Sequence, residues 1–253
     1  MGKLSGVYLR YTFSIMLLGW GTCVCFSLNG VSLNDNYFLY VPYLLGGWSP
    51  TIASFFALKK TGGIANISEW LKNIFDFRQT VVSYFLVAIL AIIFILPQCL
   101  ISGYENRMPL FAIFVMIPMM IVGGGLEEAG WRYILQPELE KKFQFTISTF
   151  IVSIIWWLWH LPLFFIQGVS QYGQNYFAFG INVLGQSFAL AGIRKVTGSV
   201  WLCVLFHCIV NSLMGIYVIN ENFLGNIVAA SLLILCTCVL IKISGKIKLK
   251  IDL

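Results

Sequence analysis

The chain contains only two histidines, His160 and His207, and both fall inside apolar stretches long enough to cross a membrane. Each belongs to a four-residue spacing, Trp156-x-x-x-His160 and His207-x-x-x-Asn211. A third cluster, Glu127-Glu128-x-x-x-Arg132, directly follows another apolar stretch. An ionisable group at the centre of a membrane helix costs about 2.5–3.5 kcal/mol on insertion scales. A sequence that is 59% hydrophobic had ample room to avoid that cost. Two Glu, two His, one Arg and one Asn kept against it point to a buried catalytic site.

Residues four apart share a helical face, so Glu128 and Arg132 can pair. Glu127 lies about 100° around the helix from Glu128, free to face a cavity while its neighbour is held. Two imidazoles and a carboxylate could ligate a catalytic zinc with one position open for water. A carboxylate and an imidazole could instead polarise water directly as a general base. A second imidazole and an amide N–H could then stabilise a tetrahedral oxyanion. Both arrangements hydrolyse an amide bond. Each motif alone also has a plainer reading: acids favoured at a helix start, a hydrogen-bonded core histidine, or His and Asn joining membrane helices. The functional reading rests on all three occurring in order.

The elements that must position these residues are membrane helices. Only 10% of the 253 residues are charged, against about 25% in soluble domains, so the chain is expected to be an all-α polytopic membrane protein. Stretches of about 20 apolar residues occur at roughly 11–29, 37–58, 80–102, 109–126, 146–168, 175–192, 197–218 and 224–243. The sixth is the weakest, interrupted by Asn182, Gln186 and glycines. Eight helices with both termini cytoplasmic put 15 lysines and arginines inside and only Arg107 outside, as the positive-inside rule requires. The net charge of +6 is thereby a topology signal and implies no nucleic-acid partner.

Between the second and third stretches, Ile64, Ile67, Trp70, Leu71, Ile74, Phe75 and Phe77 recur near helical spacing. That pattern predicts a short amphipathic helix on the membrane surface. The seven cysteines all lie in apolar segments and read as small core residues. Asn66-Ile67-Ser68 fits the glycosylation pattern but falls on the cytoplasmic side. No cleavage site follows the first apolar run, which is expected to stay as a helix. Residues 244–253 are expected to form a basic tail at the anionic inner leaflet. One integral membrane domain is expected over 1–253.

The three motifs in order resemble the signature of the CPBP intramembrane metalloproteases. That family includes type II CAAX prenyl endopeptidases and bacterial and archaeal Abi proteins. The motif resemblance covers about 110–215, with Trp156 standing where phenylalanine is usual. It implies that Glu127 and His160 activate water, that His207 and Asn211 stabilise the oxyanion or help hold a metal, and that Glu128 and Arg132 orient the first motif. It further implies zinc on Glu127, His160 and His207, or a glutamate-dependent route without it. The substrate class implied is a hydrophobic or lipid-anchored peptide at the membrane. The Phe-, Ile- and Lys-rich composition points to a bacterial cytoplasmic membrane, where such proteins would process peptides or confer bacteriocin self-immunity. A non-enzymatic membrane partner of a sensor kinase or bacteriocin, and a small transporter, remain as alternatives.

Overall fold

A computed structural model describes residues 2–251, and from residue 246 onward its backbone alone. In chain order the α-helices are α1 (Lys3–Leu28), α2 (Tyr40–Gly47), α3 (Ser49–Thr61), α4 (Ile67–Ile74), α5 (Val81–Ser102), α6 (Ile113–Gly123), α7 (Glu128–Gly130), α8 (Gln136–Glu140), α9 (Phe145–Trp159), α10 (Tyr176–Thr197), α11 (Val200–Ile216) and α12 (Phe223–Ile251). The architecture is all-α, as the composition predicts. The one sheet among the described residues is an antiparallel ribbon, Tyr104–Asn106 against Tyr217–Ile219, with Glu105 opposite Val218.

The protein is an integral membrane protein. Among the described residues, five helical segments are long and apolar enough to cross a membrane: Lys3–Leu28, Val81–Ser102, Phe145–Phe165, Tyr176–Thr197 and Phe223–Gly245. Leu110–Gly123 with Gly125–Glu140 makes a sixth if that broken pair is one span. Two expected stretches have a different form. Positions 37–58 are divided between α2 and α3, which meet at Trp48, with Pro50 in the first turn of α3. Proline suits a helix start because its missing N–H would have had no intrahelical partner there. The seventh stretch is α11, which at 17 residues is about 26 Å long, somewhat under the hydrocarbon thickness. The sixth stretch, weak in sequence, is an unbroken helix, α10, with Gln186 buried inside.

The chain divides into two compact units. The first comprises Met1–Ile74 and Leu126–Gly180. There α1 packs along α2 and α3, and α3 packs on α7. The second comprises Phe75–Gly125 and Ile181–Leu253, where α11 packs on α5 and α6, and α12 on α5. The amphipathic segment is helix α4. Its Trp70 is buried, donates its indole N–H to Ser54 Oγ at 3.1 Å, and sets its ring against Phe55. Ile67 and Leu71, flanking the buried side, are exposed, and Lys72 is exposed further round the helix. The basic tail expected at 244–253 continues the backbone of α12 to Ile251, and its last two residues lie outside the described residues.

Candidate active site

The first motif sits where the helix breaks. After α6 ends at Gly123 the chain makes a 3-10 turn, Gly125–Glu127, then α7, then a wide π-helical turn over Trp131–Leu135 before α8. Turns of this kind cost hydrogen-bond quality and recur at functional sites. Here they carry Glu127, Glu128, Trp131 and Arg132 into the core of the first unit. Glu128 and Arg132 are wholly buried, and Glu127 is 7% exposed.

The two glutamates part ways as the helical geometry predicts. Glu128 Oε2 accepts a hydrogen bond from the Arg132 Nε–H at 3.1 Å. Arg132 also stacks its guanidinium 5.6 Å from the Trp156 ring, a cation–π contact with little competing water. Glu127 turns the other way, and its Oε2 accepts the indole N–H of Trp156 at 2.9 Å and of Trp131 at 3.4 Å.

His160 caps the C-terminus of α9. Pro162, with no N–H to donate, stands in the 3-10 turn Leu161–Phe165 that follows. The helical ladder ends here, with the His160 backbone N–H shared between the Trp156 and Trp157 carbonyls at 3.3 and 3.1 Å. The ring Nδ1 of His160 lies 2.8 Å from the Trp156 carbonyl oxygen. A carbonyl only accepts, so Nδ1 carries the proton and the ring lone pair sits on Nε2. That is the tautomer a proton acceptor or metal ligand needs. The ring is packed between Trp159 and Phe179, with centroids at 4.7 and 4.9 Å, and is 8% exposed.

Aromatic residues not singled out from sequence hold this region. Trp159 donates to Ser49 Oγ at 3.0 Å and packs on Trp20 and Trp131. Tyr8 of α1 stands edge-on to Trp131, and its hydroxyl presses on Gly130. A Cβ at position 130 would overlap that hydroxyl, so only glycine fits there. Beyond Arg132, Gln136 accepts a long 3.4 Å bond from it and donates to Glu140 at 2.8 Å and to Thr149 of α9 at 3.0 Å. Glu128, Arg132, Gln136 and Glu140 thus form a ladder at four-residue steps. The repeat is visible in the sequence, and extending the first motif by two more steps would have found Gln136 and Glu140.

His207 and Asn211 lie one turn apart on α11 in the second unit. His207 is buried, 5% exposed, and Asn211 is half-buried. Next to His207, Cys208 with Val204 faces Gly125 so closely that a Cβ at 125 would collide with the thiol. The glycine run of the first motif thus admits the α11 backbone. Among the described residues no group of three or more His, Cys, Asp or Glu side chains could hold a metal ion. Within the first unit the donor chemistry suits a metal in part, through Glu127 and an Nδ1-protonated His160.

Residues 109–213 match the sequence model of the family described as type II CAAX prenyl endopeptidase Rce1-like. A curated protein of Methanococcus maripaludis, CAAX prenyl protease 2, is 21% identical over 240 residues, covering 85% of this chain and 86% of its own length. The resemblance drawn from the three motifs is therefore borne out at the level of family.

Proposed function

We propose that the protein is an intramembrane endopeptidase that cleaves a membrane-associated hydrophobic or lipid-anchored peptide. The family match over the motif region supports this class of activity. The observation that carries it is local: one residue, Trp156, contacts both Glu127 and His160 among buried aromatic side chains. The pair has the tools to activate water. Glu127 takes a proton from the water, whose oxygen attacks the scissile carbonyl carbon, with Nε2 of His160 accepting a hydrogen bond from the same water. The proton held by Glu127 then passes to the leaving amine as the C–N bond breaks.

By the family resemblance, His207 and Asn211 supply oxyanion support, and the Glu128–Arg132 pair fixes the backbone that carries Glu127. Zinc belongs to the proposal as well. By the family resemblance alone Glu127, His160 and His207 would be its ligands, a set not gathered as a metal site among the described residues, and zinc would supply Lewis acidity to the attacking water. The asymmetry of lysines and arginines supports cytoplasmic termini. The biological role favoured is bacterial peptide processing or bacteriocin self-immunity. The relative's name makes a prenylated C-terminal peptide the first probe to try.

The test compares membrane peptidomes of cells carrying the natural protein or Glu127→Ala at matched expression. The expected result is a precursor that accumulates only with the variant, its shortened product missing. Identical profiles with a normal phenotype would overturn the enzyme reading in favour of a non-enzymatic binding partner.

A further inference from the structure

We infer that Trp156 is a positioning residue for hydrolysis, its indole N–H holding the Glu127 carboxylate in register with His160. The inference rests on the endopeptidase reading and adds a residue and a task to it. Trp156 is 1% exposed and touches three motif side chains by three different parts of itself. Its Nε1–H donates to Glu127 Oε2 at 2.9 Å. Its carbonyl accepts from His160 Nδ1 at 2.8 Å. Its ring lies under the Arg132 guanidinium at 5.6 Å.

These contacts separate cleanly by chemistry. The carbonyl bond to His160 belongs to the main chain and survives any side chain at 156. The stacking on Arg132 needs an aromatic ring and survives phenylalanine. Only the N–H to Glu127 needs an indole. A charge-assisted bond of 2.9 Å is strong, whereas the 3.4 Å bond from Trp131 to the same oxygen is at the long edge of the range. Of these two indole donors, Trp156 holds Oε2 the more closely. Anchoring one oxygen fixes the plane of the carboxylate that takes the proton. Both the carboxylate and the imidazole are then set from a single residue, one helical turn from His160. Fixing two groups through one residue, Glu127 by its side chain and His160 by its carbonyl, lowers the orientational cost of reaching the transition state.

The test uses full-length purified protein and a farnesylated, internally quenched C-terminal peptide as the probe. Trp156→Phe removes the donor and keeps the ring. Incorporating 3-benzothienylalanine at position 156 removes the N–H with the indole shape intact, which covers the case where phenylalanine unsettles the fold. Glu127→Ala runs alongside. The expected result is about a tenfold lower kcat in both position-156 variants, with KM within about twofold and thermal stability unchanged. Full kcat in both, with Glu127→Ala inactive, would overturn the positioning role alone. Full kcat in Glu127→Ala would overturn the endopeptidase reading and the positioning role with it. A second readout needs no turnover. In protein labelled with 15N-tryptophan, the Trp156 indole proton is expected to shift upfield in Glu127→Ala while that of Trp201 stays put. An unmoved Trp156 resonance would overturn the inference whatever the probe does.

Discussion

Arg132 Nε meets Glu128 Oε2 at 3.1 Å with both side chains wholly shielded from solvent. Such a pair gives up much of its Coulombic gain to desolvation, so it is not kept for stability alone. Removing one partner, however, strands the other charge in the core. Glu128→Ala is expected to cost about 3–5 kcal/mol. The double substitution Glu128→Leu with Arg132→Met is expected to be less destabilised than Glu128→Ala and still inactive. Thermal unfolding in detergent with a parallel activity assay checks both. Equal stability of Glu128→Ala and wild type would count against the pair.

Gly130 faces the Tyr8 hydroxyl, which is buried and finds no hydrogen-bond partner among the described residues. Gly130→Ala is expected to cost about 1–3 kcal/mol through overpacking, and Tyr8→Leu in the same chain is expected to recover part of it. Tyr8→Phe alone is expected to leave stability unchanged or raise it by about 1 kcal/mol, because it removes a polar atom buried without compensation. A melting-temperature series over these variants checks the contact. A clear loss in Tyr8→Phe would reveal a partner for the hydroxyl.

The proposed orientation makes a labelling prediction. A cysteine placed at Gly62, in a background without the seven natural cysteines, is expected to react with an impermeant maleimide only in inverted membrane vesicles. One placed at Asn175 is expected to react only from the outside of intact cells. The reverse pattern would turn the site to the other face of the membrane.

The proposed zinc is open to test by removal. Elemental analysis of purified protein is expected to find about one zinc per chain, reduced in His160→Ala and His207→Ala. Stripping it with 1,10-phenanthroline is expected to abolish cleavage, and zinc is expected to restore it. Full activity in metal-free protein would leave Glu127 and His160 as the whole water-activating apparatus.

Much of the candidate site was legible because membrane burial makes polar residues conspicuous. Glu128 and Arg132 needed only the helical period to be paired, and the same period sent Glu127 the other way. Trp156 was read as an aromatic at a motif position, without a donor role. Indole N–H donors are reported by residue type, but their partners depend on which helices meet, and Glu127 lies 29 positions away. Gln136 and Glu140 were missed because the search stopped at the first motif. The amphipathic run over 64–77 was legible as a helix, whereas the burial of Trp70 against Ser54 and Phe55 was not, since α3 and α4 fold back on each other through a turn.

The sequence by itself determined the all-α membrane class, the positions of the three motifs and the family resemblance. Those follow from hydropathy, charge placement and spacing, which are properties of the chain taken in order. The tertiary structure alone decided that 37–58 is divided at Trp48, that α9 stops at His160, and that Tyr8 closes over Gly130. It also decided that one indole serves Glu127 while the same residue's carbonyl serves His160. Hydropathy is a sum over a window and cannot register a break in backbone direction or a bond between distant helices. Those are settled by which side chains interdigitate and by where a buried donor finds its acceptor.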